Sequence, residues 1–271
     1  MTRELYKYQA AGNDFIMVDG RASNGKNADF VTEAFIQGVC DRRYGIGADG
    51  LIVLEDSVDY SFKMVYYNSD GSGGMMCGNG GRATVAFAAD LGFESFCFEA
   101  ADGLHDAQIL DDGDIRLKMI NVEDVAKYDA RSYKLDTGTK HFVRLVEGLE
   151  SYPVVEEGRV LRYHEDFAPI GTNVNFIEKK DDTLWVRTYE KGVEDETYAC
   201  GTGIVASCIS SYLFGINPTS VADDGRVSFK VRALRDNLAV DFIPGTDGVV
   251  AVDVWLTGPA SRVAKIDYFC D

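Results

Sequence analysis

Short runs in which apolar and polar residues alternate, broken by Gly, Asn and Asp, recur along the whole chain. In the first half they predict strands over residues 5–9, 15–19, 51–54 and 60–67. Three more are predicted at 96–100, 104–110 and 115–119, separated by Asp102-Gly103 and Asp112-Gly113, dipeptides that favour tight hairpins. Two segments carry a helical period instead. One starts at an Asp29 cap and runs through Phe30, Val31, Ala34, Phe35 and Val39. The other follows Cys77-Gly78-Asn79-Gly80 and continues to Leu91.

The second half repeats this plan. Residues 135–143 echo 12–16, a helical stretch lies around 156–164, and residues 170–177 echo 47–52. A strand at 184–190 then leads into Cys200-Gly201-Thr202-Gly203 and a second helix. The pattern predicts an α/β (α+β) chain of two pseudo-symmetric domains, each a mainly antiparallel sheet wrapped around a central helix, with one site between them. The expected division is residues 1–122 plus 259–271, and residues 123–258. The last strand, 263–269, is expected to return to the first domain.

Composition narrows the partners. At 271 residues two domains are the natural expectation, and 46% hydrophobic residues suffice for their cores. A net charge of −17, from 27 basic and 44 acidic residues, offers no basic footprint for nucleic acid or an anionic membrane. The N-terminal residues lack the apolar core of a signal peptide, and no apolar run approaches the roughly 18 residues a membrane helix needs. A soluble, cytoplasmic protein is expected.

The six cysteines, Cys40, Cys77, Cys97, Cys200, Cys208 and Cys270, are too sparse for a disulfide framework, and no C-x-x-C pair marks a zinc site. Cys97 and Cys208 read as small core residues. His105 and His164 read as solvated, whereas His141 follows a turn equivalent to Gly12-Asn13-Asp14. The run Gly45-Ile46-Gly47-Ala48-Asp49-Gly50 spells a dinucleotide-binding fingerprint, but that fingerprint needs strand, glycines, helix. Here a helix precedes the glycines and a strand follows, which excludes it.

The chemistry lies in the two Cys-Gly stretches. The first N–H groups of a helix lack intrahelical partners and carry the positive end of its dipole. Flanking glycines let a carboxylate approach them. A free thiol ionises near pH 8.5, and a helix N-terminus lowers that into the ~3.5–7.5 range. One such cysteine points to nucleophilic or redox chemistry. Two in equivalent settings point to proton transfer, one thiolate removing a proton from carbon and the other thiol returning one to the opposite face. Helix N-termini at the substrate carboxylate would stabilise the carbanion-like transition state. No pyridoxal-type cofactor and no metal is called for.

The chain resembles the diaminopimelate epimerases, cofactor-independent racemases of lysine and cell-wall biosynthesis. The resemblance rests on Ala11-Gly12-Asn13-Asp14-Phe15, Gly45 to Gly50, Asn68-Ser69-Asp70-Gly71-Ser72, Met76 to Arg82, Tyr189-Glu190-Lys191-Gly192 and Ala199 to Gly203. It implies Cys77 and Cys200 as the acid–base pair, with His141 and Glu190 as their orienting or proton-holding partners. It implies that Gly78, Asn79, Gly201 and Thr202 bind the carboxylate at the reacting centre. Asn13, Asn68, Asn173, Glu190 and Lys191 complete the substrate contacts, Asn68 and Asn173 at the distal end. The substrate is a small amino acid, with assembly into a homodimer left open.

Two positions depart from the family pattern: Lys191 stands where it has arginine, and Thr139-Lys140 where it has Asn-Pro or Ser-Pro ahead of the histidine. A bidentate fork becomes a point charge. That leaves open a relative acting on another amino acid, such as hydroxyproline. A catalytically silent anion-binding protein is the remaining alternative.

Overall fold

In the computed structural model, which describes residues 2–74, 76–246 and 248–269, each Cys-Gly stretch opens a 13-residue helix, Gly78–Asp90 and Gly201–Leu213. Small and apolar residues occupy nearly every side of both helices, so each is buried around most of its circumference. Their buried hydroxyls close onto the preceding turn: Thr84 donates to Gly80 O at 2.8 Å, Ser207 to Gly203 O at 2.7 Å and Ser211 to Ser207 O at 2.8 Å. Both helices stop in the same way. Gly92 and Gly215 take φ of +92° and +76°, and the N–H groups of Phe93 and Ile216 reach back to Ala88 O and Ser211 O. These are Schellman endings, for which the left-handed conformation selects glycine.

The chain divides into two units, Met1–Leu117 with Pro259–Asp271, and Lys118–Gly258. In the first, strand Ser261–Phe269 lies antiparallel to Thr2–Ala10, which is antiparallel to Asn13–Asp19. Asn13–Asp19 runs parallel to Gly50–Glu55, and this strand pairs antiparallel with Phe62–Asn68. Phe62–Asn68 is parallel to Phe96–Ala100, and two antiparallel pairings through Gly103–Ile109 to Ile115–Lys118 finish the series.

The second unit has the same succession. Val125–Asp129, Ser132–Asp136 and Lys140–Leu145 are successively antiparallel, and Lys140–Leu145 is parallel to Asn173–Lys180. Asn173–Lys180 is antiparallel to Thr183–Glu190, which is parallel to Val227–Arg232; Asn237–Pro244 and Ala251–Gly258 follow antiparallel. The chain therefore carries one ladder order twice. The strand that opens the order in the first unit is the last strand of the chain.

Several local expectations change. The helix expected from Asp29 is Glu33–Cys40, capped by Thr32, whose hydroxyl accepts the Phe35 N–H at 3.3 Å. Residues 28–32 form turns ahead of it, with Val31 N–H bonded to Ala28 O and Thr32 N–H to Phe30 O. The second-half helix is Val154–Arg162, starting at Pro153, and its Gly158 lies against the Tyr189 side chain. His105 is buried instead of solvated: it stacks on Phe98 and its Nε2 lies 2.8 Å from Asp102 Oδ1. His164 remains half-exposed, capping a short turn by accepting the Asp166 N–H. Cys208 is in the core, but Cys97 is only half-buried and meets Asp106. Cys270 lies outside the described residues.

The glycines of residues 45–50 serve packing. A Cβ on Gly45 would fall 2.1 Å from Gly38 O, and one on Gly50 would fall 2.5 Å from the Tyr66 ring and Tyr67 O. Among the described residues no helix is long and apolar enough to cross a membrane, and no group of three or more His, Cys, Asp or Glu side chains is placed to hold a metal ion.

Candidate active site

Cys77 is the N-cap of Gly78–Asp90, in extended backbone conformation, and the intrahelical ladder begins with Gly81 N–H bonding to Cys77 O at 2.8 Å. The first-turn N–H groups therefore point outward beside the sulfur. Asn13 reaches the same sulfur from the start of its strand: its Oδ1 lies 3.7 Å from Cys77 Sγ. The hairpin that delivers Asn13 turns on Ala11 and Gly12, with φ of +51° and +85°, a two-residue turn of the primed kind.

Behind Asn13 lies Asp49. Its Oδ2 accepts from Asn13 Nδ2 at 2.5 Å and from the Asp14 N–H at 3.2 Å, and its Oδ1 accepts from Arg42 at 2.6 Å. Arg42 also forks onto Asp14, which takes Lys7 as well. Burial opposes ionisation of Asp14, but these cations prevail and hold its carboxyl below the usual range.

Beneath Gly78 and Asn79 sits the fully buried Arg82, donating to Gly78 O at 3.2 Å and Asn79 Oδ1 at 2.8 Å. Asn68 ends its strand opposite Gly50, and its amide donates to Ser72 Oγ at 3.0 Å. That ties it to the following loop rather than to Cys77.

The second unit builds its half around Cys200, N-cap of Gly201–Leu213, with Ile204 N–H bonding to Cys200 O at 2.8 Å. Here the neighbour of the sulfur is Thr202, whose Oγ1 lies 3.4 Å from Cys200 Sγ. His141 Nε2 lies 3.0 Å from the same hydroxyl, and His141 Nδ1 lies 3.0 Å from Asn175 Nδ2. Asn175 is fixed in turn, donating to Phe142 O at 3.3 Å and accepting from Thr188 Oγ1 at 2.9 Å. Space for this stack depends on Gly203, where a Cβ would come 2.3 Å from Asn175 Oδ1 and 3.3 Å from His141. Burial pushes the His141 pKa down to about 3, and the Lys191 charge acts in the same direction. The imidazole is neutral at neutral pH.

The other sequence-predicted residues of this unit surround the stack. Thr202 O also accepts the Thr137 hydroxyl at 2.9 Å. Asn173 is buried between two backbone groups, donating to Lys140 O at 3.4 Å and accepting the Lys191 N–H at 2.8 Å. Glu190, at the end of its strand, accepts from Thr197 Oγ1 at 2.9 Å. Glu194 gathers Arg162, the Tyr189 hydroxyl and the Gly192 N–H, fixing the loop that carries Lys191.

Sequence reasoning misses Asn175, Asp49 and Arg82. Asn175 has a signal: Asn173 and Asn175 stand two apart on an otherwise apolar strand, so both face the same side. Asp49 is hidden inside a run whose glycines draw the attention. Arg82 replaces an apolar helix position, and in the second unit the equivalent residue is Val205. In the three described cysteines outside these stretches the thiol form is favoured: burial pushes Cys40 up to about 12, and it raises Cys97 and Cys208 as well.

A family model described as diaminopimelate epimerase matches residues 5–124 and 133–253. The chain is 42% identical over 263 residues to a diaminopimelate epimerase of Flavobacterium psychrophilum, covering 96% of this chain and 98% of that protein. To one from Chlorobaculum tepidum it is 38% identical over 264 residues, covering 94% and 97%. Among solved structures, a phenazine biosynthesis protein of the PhzF family from Bacillus anthracis superposes with a TM-score of 0.75 at 14% identity, covering both chains fully. A hydroxyproline epimerase from Agrobacterium vitis gives 0.67 at 17%, covering 98% of this chain and 91% of that one. These two likenesses concern the fold.

Proposed function

The chain belongs to the diaminopimelate epimerase family, and from that premise we propose that it interconverts LL- and meso-diaminopimelate, with Cys77 and Cys200 as the two proton-transfer groups. The observation that carries this reading is that each repeat caps its buried helix with a cysteine whose sulfur meets a polar partner, Asn13 in one and Thr202 in the other.

One thiolate takes the α-hydrogen as a proton and the other thiol supplies a proton to the opposite face, inverting the centre. The substrate α-carboxylate is held by the first-turn N–H groups of Gly78, Asn79, Gly201 and Thr202, whose dipoles offset the charge that develops as the carbon loses its proton. His141 and Glu190 hold the surroundings of the sulfurs. Asn68, Asn173 and Lys191 read the distal amino acid end, the ammonium of Lys191 meeting a carboxylate as a point charge. Thiol chemistry of this kind needs reduced cysteines, which supports action in the cytoplasm. A homodimer belongs to the same reading and is checked by mass in solution.

In heavy water, turnover of diaminopimelate should place deuterium on the α-carbon. Cys77→Ser and Cys200→Ser should each lower kcat by about 10²–10⁴-fold, the usual worth of general acid–base catalysis. Full turnover in either variant contradicts the two-thiol reading. A panel of other amino acids tests the distal end: preference for a monocarboxylic substrate would contradict the choice of diaminopimelate.

A further inference from the structure

The two sulfurs sit at the ends of hydrogen-bond chains that start from different groups. At Cys77 the chain starts from an anion. Asp49 accepts from Arg42, from the Asp14 N–H and from Asn13 Nδ2. A carboxylate only accepts, so Asn13 must turn its NH₂ to Asp49 and its carbonyl oxygen to the sulfur. An oxygen acceptor facing sulfur favours the S–H form and disfavours the thiolate.

At Cys200 the chain starts from a donor. Phe142 O is also acceptor-only, so Asn175 presents its NH₂ to Phe142 O and to His141 Nδ1, and its oxygen to the Thr188 hydroxyl. His141 Nδ1 is therefore the lone-pair nitrogen of a neutral ring, and the ring proton is on Nε2. That proton is donated to Thr202 Oγ1 at 3.0 Å. The Thr202 hydroxyl still has its one hydrogen to give, and Cys200 Sγ lies within its reach, 3.4 Å away. A donor facing sulfur favours the thiolate.

We propose that the resting enzyme holds its transferable proton on Cys77 and keeps Cys200 as the thiolate, an asymmetry set by Asn13 and Asp49 at one sulfur and by Thr202, His141 and Asn175 at the other. This rests on the two-thiol reading above and deepens it. The step balances: the Cα–H bond breaks as an S–H bond forms on Cys200, and the Cys77 S–H bond breaks as a new Cα–H bond forms. The product state carries a Cys200 thiol and a Cys77 thiolate. It returns to rest by losing one proton from Cys200 to solvent and gaining one at Cys77. His141 is then a positioning residue that aims the Thr202 hydroxyl without changing its own charge, and Asn175 positions His141.

Charged groups carried by the surrounding elements include Glu190 and Lys191 at the end of Thr183–Glu190 in the second unit. In the first they include Asp49 and Asp14 with Arg42 and Lys7, and Arg82 in the helix. Their fields shift either thiol, but unlike the hydroxyl of Thr202 they survive its replacement by valine.

The test is alkylation of the full chain by iodoacetamide across a pH series, with Cys77 and Cys200 followed separately by peptide mass spectrometry. The pH midpoint is the readout, because Cys77 is the more exposed of the two and absolute rates reflect access. The Cys200 midpoint should lie below that of Cys77. Thr202→Val should raise the Cys200 midpoint and slow its alkylation about tenfold at neutral pH, equivalent to one pH unit. Cys77 should be unmoved, and Thr202→Ser should restore the wild-type profile. A Cys77 midpoint at or below that of Cys200 in the wild type overturns the proposal, with no variant needed. So does a Thr202→Val profile in which Cys200 is unchanged or both cysteines shift together. The two-thiol reading itself fails only by turnover in the serine variants, so the two failures are separable.

Discussion

His141 is the side chain whose role the structure alters most. A histidine beside a cysteine invites the role of proton store, yet burial depresses this one from 6.5 to about 3. Between those values the unfolded chain binds a proton that the native ring does not. The resulting stabilisation is fully present above about pH 6.5 and is lost progressively as the pH falls toward 3. A tenfold change in proton affinity is worth about 1.4 kcal/mol, so forcing a proton onto the buried ring costs a few kcal/mol. Urea midpoints measured from pH 7 down to pH 4 should fall more steeply for the wild type than for His141→Gln. Equal slopes would mean that the folded protein accommodates an imidazolium at this position. The tautomer of the neutral ring follows from a residue on the adjacent parallel strand: Asn175 can only offer N–H to Nδ1 because Phe142 O claims the same amide group.

At the scale of elements, most strands and both buried helices follow from residue pattern, and the misses have local causes. Asp29 and Thr32 are both competent caps. Thr32 wins because the chain turns twice between Ala28 and Thr32, after which Phe35, Ile36 and Val39 face the core as one helical stripe. Thr32→Ala should cost about 1 kcal/mol, read as a lower urea midpoint, with kcat unchanged. Loss of more than about 2 kcal/mol would mean that Thr32 does more than cap. The helix Val154–Arg162 begins two residues earlier than its charge pattern implies, because its packing is set by Gly158 against Tyr189 rather than by the exposed acidic residues. His105 departs from expectation for a similar reason. A histidine in a hairpin next to Asp102-Gly103 looks wet, but Phe98 opposite it supplies a ring face and Asp102 a hydrogen bond.

At the scale of the whole chain, the repeated ladder order assigns the last strand a structural duty. Ser261–Phe269 pairs with Thr2–Ala10 through eight cross-strand positions, from Thr2 with Phe269 to Gln9 with Ser261, around one register shift. A chain ended after Gly258 would leave Thr2–Ala10 with an open edge, and an unpaired edge invites association. The truncated protein should give a lower soluble yield and lose the cooperative urea transition of its first unit. An unchanged transition would show that the ladder is dispensable.

The duplication, the Cys-Gly helix starts, the glycine turns and the family motifs are local: each is a property of a few consecutive residues, so the sequence alone determined them. It also marked Cys77 and Cys200 as candidates, because a cysteine at a helix start has a meaning that depends only on its neighbours. What it did not determine is which way the hydrogen bonds run. That depends on Asn13 meeting Asp49 and Cys77 across 36 and 64 positions of chain, and on His141 meeting Asn175 and Thr202 across 34 and 61. An amide or a hydroxyl can donate or accept, so its direction is set by its partners, and tertiary structure alone chooses those. Burial is set in the same way: the neutral ring of His141 and the core position of His105 follow from what packs against them, not from what precedes or follows them in the chain.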